Sequence, residues 1–311
     1  MRGRLRLRAL ITGVTGFIGS HVAEHLLLRG DEVAGVGRTT WHANAPQGLT
    51  DRVELLSWDI QSPPSEQVRD RVEAFNPDVI YHFAGISIPA QCGADSPTPQ
   101  ALAVNVGGTR HVLDLAQRLD HPKVVFASTC HVYDHVSAAN PFVTEDSPIK
   151  PISAYGQTKL ASEEEIHARV RAGQLDACIV RGFHHIGPRQ PSGLMLTDWL
   201  EQLADPALQE LHVRSTNSYL DLVDVRDAAV AYRTLAERGA VGRVYNLGSG
   251  RISRSGDVLT AILEDIGRQP DIVVKSIEER WNTIADVTRL ADLGWLPKIE
   301  YLETVRDMLR T

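Results

Sequence analysis

Tyr155-Gly156-Gln157-Thr158-Lys159 places a phenol and an ammonium four residues apart, so a helix carries both on one face, one turn apart. Phenol is a poor base at neutral pH, because its reference pKa is about 10. An adjacent ammonium, helped by the positive charge of an oxidised nicotinamide, favours phenolate and is expected to lower that value. Lys159 can also hydrogen-bond the nicotinamide ribose hydroxyls, so Tyr155 and Lys159 are expected to touch the cofactor as well as act in catalysis. Upstream, Ser128-Thr129-Cys130-His131 follows an apolar run, and Thr129 is placed to give a second hydrogen bond to the substrate oxygen. A hydroxyl and a phenol converging on one oxygen polarise a carbonyl or deprotonate an alcohol while hydride moves between that carbon and a nicotinamide ring.

The partner for such a set is a dinucleotide, and Thr12-Gly13-Val14-Thr15-Gly16-Phe17-Ile18-Gly19 reads as its pyrophosphate turn. Glycines let a backbone turn tightly and come close to a bound group. The N–H groups of the helix that begins at Phe17 and Ile18 then form an anion site. The spacing Gly-x-x-Gly-x-x-Gly is one residue longer in its first gap than the commoner fingerprint. About 20 residues on, where an acid would hold the adenosine ribose, the chain offers Gly37-Arg38-Thr39-Thr40. An arginine fork with hydroxyls is the chemistry of a 2′-phosphate site, so NADP is expected over NAD. Asp59 and Ile60 are expected at an adenine edge, and Ala84-Gly85 is a small-residue turn past which the cofactor can run.

These residues require strands to position them. Apolar runs at Leu5–Ile11, Glu32–Gly37, Arg52–Leu56, Val79–Phe83, Lys123–Ala127 and Asp176–Gly182 alternate with helical patterns at Phe17–Arg29, Pro99–Leu119 and from Ala154. Such alternation predicts right-handed crossovers and a doubly wound parallel sheet. After Gly182 the units become irregular. Helices are expected at 194–204, 225–238, 256–266 and from 299, with strands at 211–214, 244–247 and 272–275. Residues 1–182 are therefore read as the dinucleotide-binding domain, to which 217–247 return, and 183–311 mainly as a smaller C-terminal substrate-binding region. His21 and His25 lie one turn apart on the first helix but lack a third ligand.

A chain of 311 residues with a formal net charge of −7 does not present the summed positive charge that nucleic acid or an anionic membrane requires. Any anionic substrate must be held by local cations. The three cysteines, Cys92, Cys130 and Cys178, argue against a disulfide framework or a Cys-rich metal centre. No apolar leader or 18-residue apolar run is present, and a cytoplasmic protein that neither enters nor crosses a membrane is expected.

Over nearly its whole length the chain resembles the extended short-chain dehydrogenase/reductases of the sugar-nucleotide epimerase, dehydratase and reductase group. The resemblance rests on the glycine turn, His82-Phe83-Ala84-Gly85, Asn105-Val106-Gly107-Gly108-Thr109, Ser128-Thr129 with Tyr133, Tyr155 to Lys159, and Leu293-Gly294-Trp295. It implies a Rossmann-type fold, a nucleotide-sugar substrate and a homodimer formed through the 99–119 and 154–171 helices. The stretch from Arg181 to Gln190 is similar to GDP-4-keto-6-deoxymannose reductases, and His82 to Gly85 to UDP-galactose 4-epimerases. With Arg38, this points to a 4-ketoreductase using NADPH; the alternative is a 4-epimerase with tightly bound NAD. The intact Thr129, Tyr155 and Lys159 set argues against a non-catalytic dinucleotide sensor.

Departures from the family pattern narrow the reaction. Dehydratases of the group carry acids after the catalytic Thr, where this chain has Cys130 and His131, so a 4,6-dehydratase is not expected. His131 can serve as an acid or base, or be a plain loop histidine. His184 stands where an Asn usually holds the substrate, and Leu220 where an Arg usually precedes Asp221. Arg189, Arg214, Lys275 and Arg280 are the candidate cations for a diphosphate, each otherwise a solvated surface charge.

Overall fold

The computed structural model describes residues 6–38, 40–41 and 45–310; Thr39 and Leu5, the first residue of the expected Leu5–Ile11 strand, lie outside them. Seven strands form the central sheet: β1 (Arg8–Thr12), β2 (Glu32–Gly37), β3 (Glu54–Ser57), β4 (Val79–His82), β5 (Lys123–Thr129), β6 (Ala177–Gly182) and β7 (Val244–Leu247). Every pairing between them is parallel. Their spatial order is β7-β6-β5-β4-β1-β2-β3, so the direction of winding reverses between β1 and β4. A crevice opens at the carboxyl ends of strands at such a reversal. The glycine turn leaves β1 there, and Ala84-Gly85 leaves β4.

The strands are apolar on both faces because both are covered. On one face lie α1 (Phe17–Leu28) and α3 (Val225–Arg238), whose Val22, Leu26, Ala228, Tyr232 and Leu235 pack with Ile11, Val125 and Leu247. On the other face Val112, Leu113 and Ile166 pack with Leu10, Ile80, Val124 and Phe126. Ile166 comes from α2 (Ala154–Arg171), capped by Ser153, whose hydroxyl accepts from Gly156 N at 3.1 Å. A third apolar cluster, with Trp199, Leu211, Leu220, Val258 and Ile262, forms the C-terminal part of the molecule. The return of β7 and α3 to the sheet follows from their pairing with β6 and packing on α1.

Most differences from the sequence expectations lie at element ends or are short strands that had no expectation, such as Ser218–Leu220, His184–Ile186 and Leu222–Asp224; two others concern helices. The helix expected over 99–119 is α-helical only at Pro99–Ala101 and Gly108–Ala116, with a π-helical stretch at Leu102–Gly107 between them. Such widened turns occur where side chains need an unusual aim, and this one aims Asn105 at the site described below. A helix at Glu66–Phe75, capped by the Ser65 hydroxyl, had no sequence expectation. β5 runs on to Thr129, which places that hydroxyl at the strand end. Among the described residues no helix is long and apolar enough to cross a membrane.

Candidate active site

Gly13 adopts φ +73°, a conformation that disfavours side chains, and a Cβ there would stand 2.8 Å from Ala84 N. Gly19 is more restricted still: its Cβ would stand 2.2 Å from the Gly13 carbonyl oxygen. The turn therefore folds onto β4 and onto the first turn of α1. That first turn carries neither a side-chain cap nor an acid, so its N–H donors and positive dipole end are available to an anion. These features fit a dinucleotide pyrophosphate, which the backbone at Gly13, Gly16, Phe17, Ile18 and Gly19 would hold.

A hydrogen-bond chain ties this turn to the helix bearing Tyr155. Ala84 N donates to Thr12 Oγ1 at 3.4 Å, Thr12 Oγ1 lies 2.7 Å from His82 Nδ1, and His82 Nε2 lies 3.0 Å from Thr109 Oγ1. The Thr109 hydroxyl is committed as donor to the Asn105 carbonyl at 2.6 Å, so His82 must donate through Nε2 and accept through Nδ1. His82 is thus a neutral imidazole, in keeping with burial that pulls its pKa down to about 3. Asn105 Nδ2 then donates to Thr158 Oγ1 at 2.9 Å and to the Ile86 carbonyl at 3.1 Å, and Oδ1 accepts from Ile86 N at 2.8 Å. The sequence reading used His82 and Asn105 as markers of resemblance and gave neither a task. Their task depends on contacts between residues 70 and 53 positions apart.

A single cleft of about 1200 Å³ joins the turn to the catalytic candidates; Gly13, Gly16, Phe17, Ile18, Gly19, Arg38, Asp59, Ile60, Ala84 and Gly85 line one part of it. Thr129, His131, Tyr155, Lys159, His184, Arg214 and Arg280 line the rest. It is larger than a typical site for one small ligand. Arg38 is exposed at the end of β2 and has no acidic partner among the described residues. Arg189 is engaged elsewhere: its guanidinium lies 2.8 Å from the Glu24 carboxylate and 2.9 Å from His21 Nδ1. Neither Arg189 nor Lys275 is among the described residues that line the cleft. His21 is buried against the Pro188 carbonyl at 2.9 Å.

Tyr155 and Thr129 are both buried and line the same cleft, and Thr129 is near enough to act on the phenol's titration. The expected depression of the phenol's pKa is absent from the protein alone. Burial pushes Tyr155 above its ordinary value, with the nearby Thr129 hydroxyl opposing it. Lys159 is fully buried, donates to the Ala127 carbonyl at 2.7 Å and lies over the Phe126 ring at 4.8 Å. That burial brings its pKa down to about 8. Ser128 hydrogen-bonds Glu163 of the same helix, and Glu163 pairs with Arg181 of β6 at 2.8 Å. Helix, strand end and next strand are thereby fixed together around the pair.

His131 and His184, which follow the paired ends of β5 and β6, meet edge to face with ring centres 6.2 Å apart, and His131 stands 5.8 Å from the Tyr155 ring. Burial lowers the pKa of both, that of His184 to about 4. Cys130 lies beside them, its thiol pushed up to about 12 by burial. The sequence reading set metal centres aside on cysteine count. It did not see that the fold brings residue 184 to residues 130 and 131.

The sequence profile described as "Epimerase: NAD dependent epimerase/dehydratase family" matches residues 9–248. The chain belongs to that family. The family's Rossmann-type fold and NAD dependence accord with the cleft. Among its relatives, the low-salt glycan biosynthesis protein Agl12 of Haloferax volcanii is 27% identical over 93% of this chain and 93% of its own. GDP-6-deoxy-D-mannose reductase of Pseudomonas aeruginosa is 26% identical over 97% of this chain and 96% of its own. The crystal structure of UDP-glucose 4-epimerase from Thermus thermophilus, in complex with NAD, superposes with a TM-score of 0.83 at 26% identity, covering 98% of this chain and 99% of that one. Family members thus include both reductases and epimerases on one architecture.

Proposed function

We propose that the protein is a nucleotide-sugar 4-ketoreductase that uses NADPH to reduce the carbonyl of a 4-keto or 4-keto-6-deoxy hexose. The placement of Thr129, at the end of β5, with Tyr155 and Lys159 in the one cleft that also holds the glycine turn carries this reading. When bound, the nicotinamide supplies hydride. The phenol of Tyr155 donates its proton to the carbonyl oxygen as negative charge develops there, and the raised pKa that burial gives it keeps it in the protonated form this step needs. The Thr129 hydroxyl donates to the same oxygen. Lys159, held beside the Ala127 carbonyl, places its remaining N–H groups for the ribose, and its positive charge stabilises the phenolate left on Tyr155 until a proton from solvent restores the phenol. Arg38, unpaired among the described residues at the end of β2, supports a 2′-phosphate and hence NADP. Asp59 and Ile60 lie beyond β3 where an adenine edge would rest. His131, His184, Arg214 and Arg280 surround the substrate part of the cleft, and the two arginines are its candidates for a diphosphate.

A second reading, a 4-epimerase retaining NAD, is favoured by the likeness to the Thermus enzyme. Stoichiometry separates the two. A reductase consumes one external NADPH for each keto sugar reduced; an epimerase interconverts two sugars with none added. Consumption of NADPH with a 4-keto nucleotide hexose is the expected result.

A further inference from the structure

Cys130, His131 and His184 each offer one ligand atom, and the three atoms all lie within 4.8 Å of one another. Cys130 and His131 sit in the short 3-10 turn that follows β5, while His184 begins the strand His184–Ile186 just after β6, whose Gly182 is paired with Thr129 of β5. That strand is held on its other side by parallel pairing with Leu222–Asp224, so the two segments are fixed side by side at the carboxyl ends of neighbouring strands. His184 Nδ1 is buried and has no hydrogen-bond partner among the described residues. An orphaned buried nitrogen costs free energy unless something occupies it. All three residues line the cleft, which gives an ion a route in.

From this arrangement we infer a binding site for a divalent transition-metal ion, of the zinc or cobalt class, formed by Cys130, His131 and His184. One thiolate with two imidazoles suits such ions and does not suit magnesium or calcium, which take oxygen donors. Metal–sulfur and metal–nitrogen bonds of about 2.3 and 2.0 Å require the donors to close further, which rotation of the side chains provides. Coordination replaces the thiol proton, which leaves to solvent. Arg280 faces both histidines; its charge opposes a dication, and the thiolate offsets part of that repulsion. Three protein ligands leave a fourth position for water or another oxygen ligand. Binding at this site does not depend on the reductase reading.

Cobalt titration tests the site. Protein freed of metal by chelator is titrated with Co²⁺ while near-ultraviolet and visible spectra are followed. The expected result is a thiolate-to-cobalt charge-transfer band that saturates at one ion per chain and is abolished by added Zn²⁺, which binds such donors more tightly. Cys130→Ser removes the band, and His131→Gln and His184→Gln each weaken cobalt binding at least about 10-fold, a loss of about 1.4 kcal/mol. Thermal melts and circular dichroism check that each variant is folded. Absence of the band, its persistence in folded Cys130→Ser, or unchanged affinity in both histidine variants overturns the site.

Discussion

Tyr155 is the residue on which the chemistry turns, and its neighbours define what its loss should do. Tyr155→Phe removes one hydroxyl from a buried position that otherwise keeps its packing, so fold and substrate affinity should remain while turnover falls about 10²- to 10⁴-fold. Steady-state kinetics beside a binding isotherm check this. Lys159 gives a second prediction, because burial lowers its pKa from 10.5 to about 8. Below pH 8 the amine is charged in both folded and unfolded chains, and the folded state bears the full cost of burying that charge. Between pH 8 and 10.5 the unfolded chain holds the proton and the folded one does not, so this cost declines as pH rises. Relative to Lys159→Met, the cofactor-free wild type should gain up to about 3 kcal/mol of stability across that window, measured by denaturant melts of both proteins. At the other end of the cleft, Arg38→Ala should raise KM for NADPH about 10- to 100-fold, the loss expected for one charge-assisted contact, and leave KM for NADH nearly unchanged. Equal effects on both cofactors would remove the argument for NADP.

At the scale of elements, the site is a junction where β1, β4 and β5 end together and α1 and α2 begin. The relay from Ala84 through Thr12, His82, Thr109 and Asn105 to Thr158 crosses this junction without a charged group. It can therefore be buried at modest cost, because every member is satisfied. The π-helical stretch at Leu102–Gly107 serves it by turning Asn105 toward both the Ile86 backbone and α2. The glycine turn is the tightest part of the junction. Gly19→Ala brings a methyl group to 2.2 Å from the Gly13 oxygen, and since backbone must move to relieve it, a destabilisation of about 1–3 kcal/mol is expected. The same movement should weaken NADPH binding at least about 10-fold. Melting temperature and fluorescence titration report the two effects separately. Retention of wild-type NADPH affinity would show that the turn does not hold the cofactor.

Across the whole molecule, what local pattern encodes was legible in the sequence, and what distant contacts encode was not. The strands Glu32–Gly37 and Val244–Leu247 and the helix Val225–Arg238 were read to the residue, because apolar periodicity and turn residues bound each of them. The Tyr155/Lys159 spacing needed only one helix turn to interpret. By contrast, the ion pair that turns Arg189 toward Glu24 spans 165 residues, and the meeting of His184 with Cys130 and His131 depends on the register that pairs Thr129 of β5 with Gly182 of β6. No local period records either. The phenol's raised pKa was also missed, because a sequence reports the neighbouring lysine but not the burial that outweighs it. The proposed chemistry reduces to one transfer: hydride from an external cofactor to the carbon that Tyr155 and Thr129 activate. Its most direct test supplies NADPH carrying deuterium at the transferable position of nicotinamide C4 together with a 4-keto nucleotide hexose, and reads the product by NMR and mass spectrometry. One deuterium at carbon 4 of the sugar for each NADPH consumed is the predicted result; unlabelled sugar, or product formed with no NADPH consumed, would contradict it.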